Sequence, residues 1–343
     1  MSTPQFGYCL PIFANPGSVH FRTPNFSELD PITTMQLGQF AESLGYDSLW
    51  VADHLMLGKD EAILEGWTVL SALAGSTSQA KLGMIHQGHF FRHPALAAKM
   101  AATLDQISGG RLIHFYDVGQ QKREHHAYGL SSMEDDDERA ASMLEGLDLT
   151  IKLWTSREPL DFRGQYFQVD QAVCTPKPMQ QPHPPIWLGE VHPEILRATA
   201  LYAQGWNTMP ISVSELKHRL GLVRTACEQE GRDFSELEIS MELQVIIEPD
   251  MESVRHRLKG MLDLNPGLDV EDGEALAAFA SGKSDVVPES FRQTTLIGTP
   301  ADVQQQLQPY LDAGAHHIML WFLDAPSTDG IRLFAREVMP HFR

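Results

Sequence analysis

The chain is poor in the features that mark several large protein classes. It has only three cysteines, Cys9, Cys174 and Cys227. No two of them have the spacing of a zinc or redox pair, which fits a reducing compartment. No run approaches the roughly 20 apolar residues that span a bilayer, and the opening MSTPQFGYCLPIF lacks a basic segment ahead of an apolar one. A cytoplasmic location is therefore expected. Positive charge is scarce: 26 Lys and Arg stand against 45 Asp and Glu, a net charge of −19. Such a field repels polyphosphates and anionic membranes, so neither nucleic acid nor a membrane is an expected partner. A local pair such as Lys122-Arg123 could still hold one phosphate.

Catalytic signatures are also missing. There is no Gly-x-Ser-x-Gly elbow, no cysteine with an evident histidine partner and no dinucleotide fingerprint. Fifteen histidines raise the question of a metal. A metal-dependent barrel hydrolase, however, closes its first strand with His-x-His, whereas this one ends Leu10-Pro11-Ile12-Phe13, so no metal is expected. No Pro/Gly/Ser-rich linker divides blocks of different composition. The 343 residues are read as one domain, 1–343.

What is present is a regular alternation. Short apolar runs at Phe6–Phe13, Ser48–Ala52, Leu82–Gln87, Leu112–Tyr116, Pro185–Leu188, Gly205–Met209, Leu237–Ile247 and His316–Phe322 read as strands. Segments with helical spacing separate them, such as Pro94–Ile107, which proline opens. Eight βα units predict a (β/α)8 TIM barrel with insertions. In that fold the carboxyl ends of the strands carry the chemistry. The acidic run Glu134–Glu138 is a solvated helix start, and Phe162–Val169 is a small excursion within a long insertion. The segment 262–294 fits no unit and is expected to be a lid, partly mobile without ligand.

Four strand ends stop abruptly in polar residues: DSLWVADH (Asp47–His54), KLGMIHQGHFFRHP (Lys81–Pro94), TLDQISGGRLIHFYDVG (Thr103–Gly119) and PPIWLGEVHP (Pro184–Pro193). Together these resemble the bacterial luciferase-like monooxygenase superfamily, barrels that use reduced flavin or a deazaflavin. The resemblance implies that His54 faces the reactive edge of the cofactor as acid/base or peroxide-stabilising residue. A histidine suits that task because its ordinary pKa lies near neutrality.

The resemblance also implies a cis peptide at Ile85-His86 against the ring, and a turn at Asp117-Val118-Gly119 followed by Gln120 and Glu124. It places the cofactor phosphate on the turn Gly189-Glu190-Val191, which enters a helix whose free N–H groups suit an anion. Glu190 stands where a glycine or serine is usual, and Lys122 or Arg123 would offset its charge. Trp206 is the remaining cofactor contact. An apolar pocket would exclude water, and Phe13, Trp50, Trp67, Phe90, Phe115, Trp206 and Trp321 are candidates for its wall, of which about half are expected to touch it.

The activity so implied is a two-component monooxygenase. Reduced FMN from a separate flavin reductase reacts with dioxygen to a flavin 4a-hydroperoxide, and one oxygen atom enters a small organic substrate. Two alternatives stay open: a deazaflavin-dependent hydride-transfer oxidoreductase, and a catalytically silent flavin-binding barrel subunit. Against the deazaflavin alternative, Gln120 replaces a catalytic glutamate, and Gly58 stands where a tryptophan four residues after the histidine is common. A homodimer using Leu70, Leu73 and Leu96 is expected.

Overall fold

The structure is a computed structural model that describes residues 3–119, 122–131, 133–269 and 271–343. Eight parallel strands close on themselves: β1 Gln5–Cys9, β2 Ser48–Ala52, β3 Lys81–Ile85, β4 Leu112–Asp117, β5 Ile186–Gly189, β6 Gly205–Thr208, β7 Glu238–Ile247 and β8 His317–Phe322. Each pairs with the next, and β8 returns to β1 in the register Phe6 to Ile318. The predicted TIM barrel is the observed fold, and each of the eight predicted runs overlaps a barrel strand. A further short strand, Thr295–Gly298, pairs with the last residues of β7.

Local chemistry sets the element ends. The helix Pro31–Ser43 starts at Asp30, whose carboxylate accepts the Ile32 N–H. That bond satisfies one of the donors orphaned at a helix start. The helix Pro94–Ser108 has proline in its first turn and ends at Gly109 in the left-handed region, φ 73°, a conformation that costs glycine little.

Large indoles fill the barrel because small residues face them. A Cβ on Gly83 would lie 2.1 Å from Trp50, and one on Gly205 would lie 2.4 Å from Trp187. The two indoles sit with ring centroids 5.3 Å apart. Leu70 and Leu73, expected at a dimer contact, are wholly buried on the barrel. They cannot meet a partner, and Leu96 alone of the three is exposed.

The segment 262–294 begins in the last two residues of the helix Met251–Asp263 and carries two further helices, Gly273–Ala280 and Glu289–Arg292. Leu276, Phe279 and Phe291 have no exposed surface and build a second core with Val19, Ile246 and Leu323. The insertion is thereby tied to the loop after β1, where His20 Nε2 also lies 2.9 Å from the Glu271 carbonyl. Among the described residues no helix is long and apolar enough to cross a membrane.

Candidate active site

The carboxyl ends of the strands converge on a cleft of about 170 Å³. Phe21 and Arg22 come from the loop after β1, Asp53 and His54 from the end of β2, Ile85 and His86 from β3, Asp117 and Gly119 from β4, and Glu190 from β5. A small extension adds Phe115, Gly189 and Arg219.

His54 and Glu124 form a dyad. His54 Nδ1 lies 2.8 Å from Glu124 Oε1, while the amides of Leu55 and Met56 donate to Glu124 Oε2. Burial pushes the Glu124 carboxyl up, but the His54 bond and the two amides outweigh it and hold the group below its ordinary value. An ionised Glu124 only accepts, so Nδ1 carries the proton of a neutral His54. Nε2 then keeps its lone pair, with no partner among the described residues.

A ladder of alternating charge crosses the cleft. His86 Nδ1 lies 3.1 Å from Asp117 Oδ2, and its Nε2 lies 3.2 Å from Glu242 Oε1. Arg22 Nη2 donates to Glu242 Oε2 at 3.0 Å, and Trp321 Nε1 donates to the same oxygen at 2.8 Å. Burial works against a charged His86, yet its two carboxylate partners prevail and raise it to about 10. Burial likewise raises the Glu242 carboxyl, but Arg22 and then His86 bring it down to about 2. Buried charge costs so much to desolvate that each ion here keeps close partners. Asp53 is similarly occupied, held by Arg92 at 2.7 and 3.0 Å and by the Gly88 amide.

Glu190 is the exception. Its backbone is left-handed, φ 75°, its side chain lines the cleft, and no hydrogen bond reaches its carboxyl among the described residues. Burial and then the charge of Asp117 push that carboxyl up.

A family model described as luciferase-like monooxygenase matches residues 5–317. The chain belongs to the luciferase-like family. It is 28% identical over 351 residues to the phthiodiolone/phenolphthiodiolone dimycocerosates ketoreductase of Mycobacterium tuberculosis H37Rv, covering 88% of this chain and 90% of that protein. It is 28% identical over 331 residues to the F420-dependent glucose-6-phosphate dehydrogenase of Nakamurella multipartita, covering 92% and 94%. Two solved structures share the fold at a TM-score of 0.77. One is an F420-dependent secondary alcohol dehydrogenase, 20% identical with both chains covered in full. The other is monooxygenase RslO1 from Streptomyces bottropensis, 22% identical with 99% of this chain and 100% of that one covered. Family membership makes the chain a luciferase-like barrel related to both oxidoreductases and monooxygenases.

The expected site residues do not all meet in this luciferase-like cleft. His54, Ile85, His86, Asp117, Gly119, Gly189 and Glu190 line it or its extension, and the Ile85-His86 peptide is cis. Glu124 acts on His54 from behind. Val118 and Val191 are half-buried and pack against the core, and Gln120 lies outside the described residues. Trp206 is wholly buried beneath the turn and donates from Nε1 to the Glu190 carbonyl at 3.1 Å.

Of the seven candidate wall aromatics, Phe115 lines the cleft, joined by Phe21 and Phe91. Trp50 and Trp321 instead fill the barrel. Lys122 and Arg123 pair with Glu134 and Glu61 at the surface, and the arginines that reach the cleft or its extension among the described residues are Arg22 and Arg219. Sequence reasoning missed Arg22 and Glu242. Glu242 left a signal, because Ser240, Glu242 and Gln244 alternate with apolar residues and so share the inward face of β7.

Proposed function

We propose that the protein is an oxidoreductase that moves hydride between a deazaflavin-type cofactor and a small alcohol or carbonyl compound. The observation that carries this reading is the His54–Glu124 dyad, which opens one histidine nitrogen into a cleft rimmed by charged groups. A site that protects an oxygen-transfer intermediate has to exclude water, whereas here Arg22, Asp53, His86, Asp117 and Glu190 stand in the wall among Phe21, Leu57, Phe91 and Met209. The names of two relatives, a ketoreductase and an F420-dependent dehydrogenase, point the same way.

The cleft has features that suit such a cofactor. A Cβ on Gly119 would lie 3.7 Å from the Gly88 Cα, and one on Gly88 would lie 2.9 Å from the Phe91 ring, so the two glycines bring backbone and the Phe91 ring together at an edge that a flat ring can approach. The helix Pro193–Tyr202 has no side-chain cap at its start, leaving N–H groups for a phosphate. Ile85, His86, Gly88 and Gly119 would hold the ring, and the turn Gly189-Glu190-Val191 the phosphate. Cofactor pockets span roughly 300–1,000 Å³, so residues walling the cleft move apart on loading. The segment 262–294 would serve as the lid.

When bound, the cofactor supplies or accepts the hydride. His54 Nε2 takes the hydroxyl proton as an alcohol is oxidised and returns it as a carbonyl is reduced. Glu124 keeps the imidazole in the required tautomer and orientation. Arg92 and the Gly88 amide hold Asp53, and with it the end of β2.

A second reading, a monooxygenase using dioxygen and reduced FMN from a reductase, is favoured by Gly58. Its φ is 77°, and a Cβ there would come within 2.4 Å of the Ala14 carbonyl, so no tryptophan fits. In either case a homodimer would use the exposed Leu96 and Ile107 of the helix Pro94–Ser108. The deciding experiment titrates the protein with FMN and with a deazaflavin while following fluorescence quenching. Anaerobic turnover of ketones with the reduced deazaflavin is expected. Product formation only with reduced FMN and dioxygen would overturn the hydride-transfer reading in favour of the second.

A further inference from the structure

We propose that Arg22 is the anchor for a carboxylate on the substrate, so that the protein acts on small oxo- or hydroxy-acids. This rests on the hydride-transfer reading and narrows its substrate class.

Arg22 lines the cleft that holds His54. Its Nη2 is committed to Glu242 at 3.0 Å, whereas Nε and Nη1 have no partner among the described residues. The guanidinium is also fixed in place. It lies 4.9 Å over the Trp321 ring and 5.2 Å over Phe21, and the Arg22 amide donates to Gln244 Oε1 at 2.7 Å. Its backbone is left-handed, φ 59°, which a non-glycine residue adopts only when surrounding contacts hold it there. A cation whose orientation is set before binding loses little entropy when an anion arrives. The planar guanidinium matches a carboxylate better than an ammonium does.

The neighbouring acids do not compete for the open nitrogens. Asp53 is held by Arg92, Glu124 by His54, and Asp117 by His86 and the Gly119 amide. Glu190, whose carboxyl has no hydrogen-bond partner among the described residues, is pushed towards its neutral form by burial. In a chain of net charge −19, a small anion finds few other open donors inside this cleft.

The test measures binding of 2-oxobutyrate and of its uncharged amide to the full-length protein by calorimetry, with and without cofactor. The wild type is expected to bind the acid at least tenfold more tightly than the amide. Arg22→Gln should abolish that preference, Arg22→Lys should retain part of it with the charge against Glu242 preserved, and Arg219→Gln should leave it intact. Equal binding of acid and amide by the wild type would overturn the proposal. So would an unchanged preference in Arg22→Gln, or no measurable binding of the acid at millimolar concentration. Cofactor uptake, followed separately by fluorescence, tests the underlying reading. Acid preference without uptake of any flavin or deazaflavin would leave Arg22 an anion anchor and remove the hydride chemistry, and uptake with turnover of neutral ketones alone would do the reverse.

Discussion

Glu124 fixes the tautomer of His54 across 70 residues of chain, through one 2.8 Å bond to Nδ1. His54→Gln should therefore lower kcat by about 10²–10⁴-fold, the usual range for a lost acid/base group, with little change in cofactor affinity. Glu124→Gln should cost less, because the amide oxygen of glutamine can still accept from Nδ1 and keep the productive tautomer partly populated. Steady-state kinetics beside a cofactor titration separates the two effects, and unchanged turnover in His54→Gln would rule out its role.

The ladder through His86 gives stability a pH window. The folded-state pKa of His86 is raised from 6.5 to about 10, so its contribution is complete below pH 6.5 and disappears as pH rises through about 10. Glu242 is lowered from 4.5 to about 2, so its contribution is present above pH 4.5 and is lost as pH falls through about 2. Urea midpoints should fall between pH 7 and pH 10 in the wild type and stay flatter in His86→Gln. At neutral pH that variant should be destabilised by about 3–5 kcal/mol, the cost of stranding a buried charge.

Gly83 should be intolerant of even a methyl group. A Cβ there would meet Trp50 at 2.1 Å, and overpacking of this kind costs about 1–3 kcal/mol. Gly75, inside the helix Gly66–Ser76, has nothing within 4 Å of the same added atom, so Gly75→Ala should stabilise by about 0.5–1 kcal/mol. Thermal melts of the two variants should move in opposite directions.

Glu190 should couple phosphate binding to proton uptake. Its carboxyl is pushed up by burial and by Asp117, so it loses its proton above the ordinary carboxylate range, and the charge then repels a phosphate on the same turn. Cofactor affinity should weaken as pH rises through that transition, and Glu190→Gln should bind more tightly with no such slope. Fluorescence titrations from pH 5 to pH 8 provide the measurement; parallel slopes in the two proteins would place the phosphate elsewhere.

The barrel was readable because each strand is a short apolar run with a polar stop, and that pattern depends only on neighbouring residues. His54 was readable for the same reason, at the end of DSLWVADH. The charge ladder was not. Arg22 and Glu242 are 220 residues apart, and Glu242 and His86 are 156 apart, so closure of the barrel alone decides that they meet. The apolar pocket was misjudged because tryptophans in strands can face either the barrel centre or its mouth. Trp50 and Trp187 lie at the level of glycines that leave them room inside, and nothing local to a tryptophan reveals which glycine will sit across from it.

The loop that carries Arg22 rests on the helical insertion through Val19, and through His20 at the Glu271 carbonyl. Substitutions in that outer layer can therefore shift the guanidinium while leaving the cylinder untouched. Related barrels could diverge in what they accept by altering residues that never contact the molecule being transformed.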